Sequence, residues 1–141
     1  MAVRKHKLEY KERFDFLLLG LVSAENDYRL IWQINQFLDY GFEKTVNHKI
    51  LAKGIQAEQE FSQFVYEHDG LCLFFRLLSN KSIHGVLIEE LKNIDYLLMV
   101  QGEMNESFIM SFIAGLKKVE NIQAVFRIDP LTLKSRDKLL A

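Results

Sequence analysis

The sequence predicts a two-layer α+β domain in which a mostly antiparallel sheet carries two helices on one face. Three observations lead to this prediction. Strand-like and helix-like segments follow one another in the order strand, helix, two or three strands, helix, strand. Two segments have apolar residues at helical spacing. The strands between them include two runs whose connection is short enough for a hairpin.

The first strand and the first helix lie near the N-terminus. The run FDFLLLGLV at 14–22 is apolar at odd and even positions, which is typical of a central strand buried on both faces. In the next segment, NDYRLIWQINQFLDYG, Asn26 is a suitable N-cap and Gly41 marks the C-terminal end. The apolar stripe of this helix contains Leu30, Ile31, Ile34, Phe37 and Leu38.

The middle of the chain predicts a connection followed by a hairpin. Residues 42–59 have mixed charge and weak periodicity, with an edge strand near 45–51. Two apolar runs then predict strands at about 61–67 and 71–78. Asp69 and Gly70 lie between them and readily take the positive φ values of a tight turn. Cys72 is then expected within a strand, as a small inert core residue.

The last third predicts strand, helix and strand. The strand at 94–100 precedes the helical segment NESFIMSFIAGLKKVE, which has acidic residues at its start and lysines near its end, as the helix dipole prefers. The alternating run IQAVFRI predicts the final strand. The helical stripe contains Phe108, Ile109, Phe112, Ile113, Leu116 and Val119.

The chain is predicted to form one domain, 1–141, with a charged leader at 1–13 and a C-terminal tail or short helix at 131–141. Its 141 residues are enough to bury a sizeable core. Two split β-α-β units are the simplest arrangement of its elements, and this arrangement is related to the ferredoxin-like fold.

Composition excludes several classes of function. Lys and Arg total 18 against 19 Asp and Glu, so the net charge of −1 gives no reason to expect nucleic acid as a partner. The single cysteine excludes an intramolecular disulfide and suits a reducing compartment. No apolar run is long enough to cross a membrane, and the leader has charges where a signal peptide would be apolar. A cytoplasmic protein without membrane contact is therefore expected.

The face of the sheet opposite the helices needs its own cover. If Phe16, Leu18, Tyr96 and Leu98 point toward the helices, a set of apolar residues points away from them: Leu17, Leu19, Leu21, Leu97 and Met99. A monomer rarely exposes a contiguous apolar patch larger than about 300–600 Å². Either residues 42–59 and the C-terminal tail cover this face, or a second copy does. We favour a homodimer with these five residues at its interface.

The segment IEELKNIDY at 88–96 resembles the pattern I-P-E-x-x-x-V-D-Y, after which a family of uncharacterised bacterial proteins is named. Ile88, Glu90, Asp95 and Tyr96 carry the resemblance, which extends over nearly the whole chain through NDYRLIWQIN, FSQFVY, SNK and IDPLTLKS. Glu89 replaces the proline of the pattern and does not fix φ as proline would; isoleucine replaces the valine. The resemblance implies a single cytoplasmic domain and no assigned activity.

Asp95 has two interpretations. A carboxylate at the entrance of a strand can serve as a general base or a ligand group. A buried carboxylate also needs hydrogen-bond partners for purely structural reasons. We prefer the structural interpretation, in which IEELKNIDY is a tight entry that positions Asp95 and Tyr96 at the start of a strand.

The last third also resembles the strand-helix-strand half of regulatory ligand-binding domains of the ACT and Lrp/AsnC type. That resemblance implies a ligand site in the loops that open the two helices, at Asn26, Asp27, Gly102 and Glu103. The acidic residues at both helix starts favour an amine or a cationic segment over phosphate. Capping of the helices is the simpler interpretation of these loops.

No catalytic, metal or cofactor site is predicted. The four histidines lack zinc-binding spacing, and no serine lies in a G-x-S-x-G context. Tyr28 and Trp32 are four residues apart and can form an aromatic surface beside the helix stripe, although most such pairs belong to the core. The leading hypothesis is a non-enzymatic domain that binds a protein or associates with itself. The alternative is a small-ligand-sensing regulatory domain of the ACT/Lrp type.

Overall fold

The structure, a computed structural model, describes residues 13–51 and 58–140. Its mixed α+β architecture confirms the predicted fold class. The two helices are α1 (Asp27–Leu38) and α2 (Glu106–Lys117). The strands are β1 (Leu17–Val22), β2 (Glu43–Lys44), β3 (His48–Leu51), β4 (Glu58–Phe61), β5 (Gln63–His68), β6 (Leu73–Ser79), β7 (Lys81–Ser82), β8 (Gly85–Val86), β9 (Tyr96–Gln101) and β10 (Ala124–Ile128). Short 3₁₀ turns occupy Glu89–Leu91, Pro130–Thr132 and Arg136–Leu139.

The main sheet has six strands in the order β10-β1-β9-β6-β5-β2, and every neighbouring pair is antiparallel. β1 and β6 therefore run in the same direction on either side of β9, and β9 and β10 do so on either side of β1. Because α1 follows β1 and α2 follows β9, the topology contains two split β-α-β units. The relation to ferredoxin-like proteins stays a prediction. Two further pairs, β3 with β4 and β7 with β8, lie outside this sheet.

One face of the sheet forms the main core with both helices. Alternate residues of β1 and β9 point into this core because side chains on a strand alternate between its faces. The helices contribute buried Leu30, Ile34 and Phe112 among others. The strand residues on this face include Leu17, Leu19, Leu21, Tyr96, Leu98 and Val100.

The other face of the sheet is covered by the chain itself. Leu18, Leu97 and Met99 form a second core there. Its cover comes from β3 and β4, from the segment before β9, and from the C-terminal turns, through Ile50, Phe61, Leu87, Ile88, Leu133 and Leu139.

The predicted dimer interface is therefore wrong. Leu19 lies opposite Leu98 and Leu18 opposite Met99, so the first member of each pair shares the face of the second. The set splits between the two cores, with Leu17, Leu19 and Leu21 beneath the helices and Leu97 and Met99 on the other face. All five are buried within one chain, so they present no surface to a second copy.

Three local predictions are also wrong. α1 ends before Gly41, because Asp39 takes the left-handed conformation with φ of 55° and closes the helix. The hairpin loop spans four residues, 69–72, in which the Cys72 N–H donates to the carbonyl of Asp69 at 3.2 Å. The positive φ falls on Cys72, at 53°, and this residue is exposed in the turn rather than within a strand.

Candidate functional site

The side chain of Asn80, at the end of β6, organises the segment that leads into β9. Its Nδ2 donates to the carbonyls of Leu91 and Ile94, both at 2.9 Å, and its Oδ1 accepts from the Ile88 N–H at 2.9 Å. Its backbone N–H donates to the Asp95 carbonyl at 2.9 Å. Asn80 is fully buried, so these bonds hold residues 88–95 as one closed loop. The sequence pattern did not single out Asn80 beyond its place in SNK.

Two residues of the 88–96 segment connect this loop to the second core and to the C-terminal turns. Ile88 is fully buried in that core. The Glu90 carboxylate accepts from the Ser135 N–H at 2.8 Å and from its hydroxyl at 2.7 Å. Desolvation works against ionisation of Glu90, but these hydrogen bonds outweigh it and lower its pKa. Glu90 thus tethers the C-terminal segment.

Asp95 and Tyr96 bind the loop that opens α1. Asp95 accepts from the Ser23 N–H at 2.9 Å and forms an ion pair with Lys81 at 2.9 Å. The Tyr96 hydroxyl donates to the carbonyl of Glu25 at 2.5 Å. Burial, reinforced by nearby carboxylates, raises the pKa of Tyr96 far above its usual value, so the phenol remains a donor. These intramolecular contacts favour the structural interpretation of the motif.

The four residues of the predicted ligand loops do not form one site. Leu21 lies opposite Tyr96 and Leu17 opposite Val100, so the loop after β1 and the loop after β9 leave opposite ends of the sheet. A six-residue strand separates them by about 20 Å. Asn26 and Asp27 are at one end of the sheet, and Gly102 and Glu103 are at the other. The prediction of one ligand site formed by both loops is therefore wrong. The Asn26 side chain caps α1 by accepting from the Arg29 N–H at 2.9 Å.

A cleft of about 930 Å³ opens at the Gly102 end of the sheet. Its apolar wall includes Phe14, Phe16 and Met104. On its polar side, Arg127 donates two hydrogen bonds to the Glu106 carboxylate, at 2.8 and 2.9 Å. Of the four predicted loop residues, Gly102 alone lines this cleft.

A second polar cluster lies where β3, β5 and β6 meet the C-terminal turns. The Arg76 Nη2 donates to the His48 Nδ1 at 2.8 Å, and the Arg76 Nη1 donates to the Leu139 carbonyl at 2.9 Å. The Arg76 Nε donates to the side-chain oxygen of Gln63. Because a guanidinium can only donate, the proton of His48 lies on Nε2, which donates to the Lys138 carbonyl at 2.5 Å. Sequence reasoning missed this cluster because its residues come from four separate segments.

This cluster predicts a pH dependence of stability. Burial lowers the pKa of His48, the bond to Lys138 opposes this, and the charge of Arg76 adds to the lowering. Below a pH of about 6.5 the unfolded chain takes up a proton that folded His48 resists. The free energy of unfolding should therefore be highest above that pH and should fall as the pH drops toward the folded-state pKa. Urea unfolding at several pH values measures this fall in the free energy of unfolding.

The control for this prediction is a second histidine substitution. His48→Gln should flatten the fall in stability on the acid side, whereas His84→Gln, which changes an exposed histidine, should leave the fall in place. An equal pH dependence in wild type and His48→Gln would contradict the prediction.

Tyr28 and Trp32 form an exposed aromatic pair on α1. Their side chains are 65% and 62% exposed, so of the two interpretations the aromatic surface is right and the core is wrong. The Tyr28 ring packs edge-on against Phe64, with centroids 5.7 Å apart, which fixes one side of the pair.

Neither metal binding nor membrane crossing is visible in the described residues. Within 13–51 and 58–140, no group of three or more His, Cys, Asp or Glu side chains is placed to hold a metal ion. No helix in these same ranges is long and apolar enough to span a bilayer.

No protein-family model matches the chain, and no curated protein is significantly similar to it.

Proposed function

We propose that this chain is a non-enzymatic cytoplasmic domain that associates with a second copy of itself through the outer face of α1. The observation that carries the proposal is the exposed pair Tyr28 and Trp32. Tyrosine and tryptophan are enriched among the residues that dominate binding energy at protein interfaces. The pair lies one turn apart on a helix whose start is capped by Asn26, so it is presented on a rigid element.

The charges on α1 support a second copy as the partner. Exposed Arg29 lies in the first turns of the helix and exposed Asp39 closes its end. Two copies of α1 packed antiparallel around a two-fold axis bring each Arg29 toward the Asp39 of the other copy. The net charge of −1 adds little repulsion between copies.

The test uses Trp32 as its own probe, because it is the single tryptophan of the chain. On dilution, the mass from light scattering should fall from that of a dimer to that of a monomer. The tryptophan emission should shift to the red over the same concentrations, because Trp32 becomes exposed to water. Trp32→Ala should raise the dimer dissociation constant at least about tenfold, in line with a substitution that costs more than 1.4 kcal/mol.

Met110→Ala is the matched control. Met110 is an exposed apolar residue of α2, 67% accessible, and lies outside the proposed surface. Its replacement should leave the dissociation constant unchanged. A chain that stays monomeric at high concentration, with unchanged tryptophan emission, overturns the proposal.

A small-ligand-sensing domain of the ACT/Lrp type is the second candidate. The cleft beside Gly102 favours it, because concave and partly apolar sites are typical of small-molecule binding. A metabolite that binds the folded state should raise the melting temperature. A broad thermal-shift screen without any stabilising compound would count against this function.

A further inference from the structure

Arg76 is a half-buried cation whose three contacts in the structure are all neutral. They are the Gln63 amide, the Leu139 carbonyl and the His48 imidazole. Within the described part of the chain, no carboxylate is close enough to form an ion pair with Arg76. Burial lowers the pKa of this guanidinium, as expected for a cation without an opposite charge beside it. A half-buried charge in this state is stabilised by a nearby anion.

The guanidinium has donors left for such an anion. It carries five N–H groups, and the three contacts use three of them. One N–H on each of Nη1 and Nη2 is thus free of these contacts. Two N–H donors on adjacent nitrogens match the two oxygens of a carboxylate.

Arg76 also lines a small cavity of about 100 Å³ on the sheet face opposite the helices. The pairing of β6 with β9 places four of the lining residues side by side on this face, because Arg76 lies opposite Met99 and Phe74 lies opposite Gln101. Phe16 and Leu140 complete the lining, the latter from the C-terminal turns. Arg76 is therefore the one charged residue of the lining, together with Gln101 and four apolar residues.

We infer that this cavity binds a short-chain carboxylate, with its charged end on Arg76 and its apolar end against Phe16 and Phe74. The volume equals that of about three water molecules, which fits a carboxylate of roughly two to four carbon atoms. Aliphatic groups gain from burial against the aromatic rings, whereas inorganic anions do not. This inference is independent of self-association through α1.

The experiment is a titration of ¹⁵N-labelled protein with acetate, propionate and butyrate at constant ionic strength. Amide resonances of Phe74, Gln101 and Leu140 report on the cavity. We expect saturable shifts that strengthen with chain length, and binding at least about tenfold weaker for butyramide, which has the same shape without the charge. Equal binding of butyrate and butyramide, or no shift with any of the three carboxylates, overturns the inference.

Two substitutions locate the binding site. Arg76→Gln should abolish the shifts, and Lys117→Gln, which removes an exposed cation at the end of α2, outside both the cavity and the proposed α1 surface, should not. Arg76 also supports the fold, so loss of binding in Arg76→Gln could come from a disturbed structure. Gln101→Glu is therefore a second test of the binding site. Gln101 is exposed, so the variant should fold, and its new carboxylate should repel the ligand and weaken butyrate binding at least about tenfold. Unchanged butyrate affinity in folded Gln101→Glu contradicts the assignment.

Discussion

Replacing Asn80 by alanine should lower the free energy of unfolding by about 3 to 4 kcal/mol and the melting temperature by about 10 °C. The substitution removes both donors and the acceptor of a fully buried side chain. The carbonyls of Leu91 and Ile94 and the Ile88 N–H would then lose their partner in a region that water reaches poorly. Urea and thermal unfolding measure the loss.

Two further variants separate the hydrogen bonds of Asn80 from a general sensitivity of this region. Asn80→Asp keeps an acceptor for the Ile88 N–H but cannot donate to two carbonyls at neutral pH, so it should be nearly as destabilising. Asn93→Ala changes an exposed asparagine of the same loop and should cost less than about 0.5 kcal/mol. Equal effects of Asn80→Ala and Asn93→Ala would show that Asn80 does not organise the loop.

Gly102→Ala should lower the free energy of unfolding by about 3 to 5 kcal/mol. Both the backbone conformation at this position and the lack of space around it require glycine. Gly102 has φ of 132°, a region that residues with a side chain rarely adopt. An added Cβ would lie 2.5 Å from Cδ2 of Leu73 and 2.8 Å from the carbonyl oxygen of Cys72. The loop that opens α2 would have to separate from the hairpin turn between β5 and β6, as thermal unfolding would reveal.

Gly85→Ala is the control for Gly102→Ala. Gly85 has a similar φ of 121°, but the nearest atom to an added Cβ is 3.6 Å away, on the side chain of Gln59. Gly85→Ala should therefore lower the free energy of unfolding only by the cost of the backbone conformation, about 1 to 2 kcal/mol. If both variants lose the same stability, the contact with the hairpin turn contributes nothing to the need for glycine at 102.

Periodicity predicted the main elements well because it reports on burial. The two helices, the central first strand and the strand after Asp95 lie close to their expected positions. The helix stripes identified buried Leu30, Ile34 and Phe112. These residues are determined by local spacing, which a single sequence contains.

Periodicity failed where relations between strands decide the outcome. The run LLLGLV is apolar on both faces, so its pattern does not say which residues meet the helices. Only the pairing of Leu19 with Leu98 decides that. For the same reason, the sequence could not show that β3, β4 and the C-terminal turns cover the second face. Phe37 also departs from its predicted stripe, since it is 53% exposed near the end of α1.

The candidate sites were harder to predict than the fold. Ile88, Glu90, Asp95 and Tyr96 could be selected from a short pattern, but their partners Ser135, Ser23 and Glu25 come from distant parts of the chain. Arg76 and His48 belong to no pattern at all, because β3 and β6 bring them together. Tyr28 and Trp32 have a spacing that fits both a core and a surface, and only their accessibility distinguishes the two.

The position of β1 has a consequence for how the protein is made. β1 forms near the N-terminus, yet both of its partners, β9 and β10, belong to the last third of the chain. During synthesis the ribosome releases this apolar strand long before either partner exists. The central sheet can therefore be completed only once β9 and β10 have been synthesised, and until then the apolar nascent LLLGLV segment lacks both strands that will pair with it.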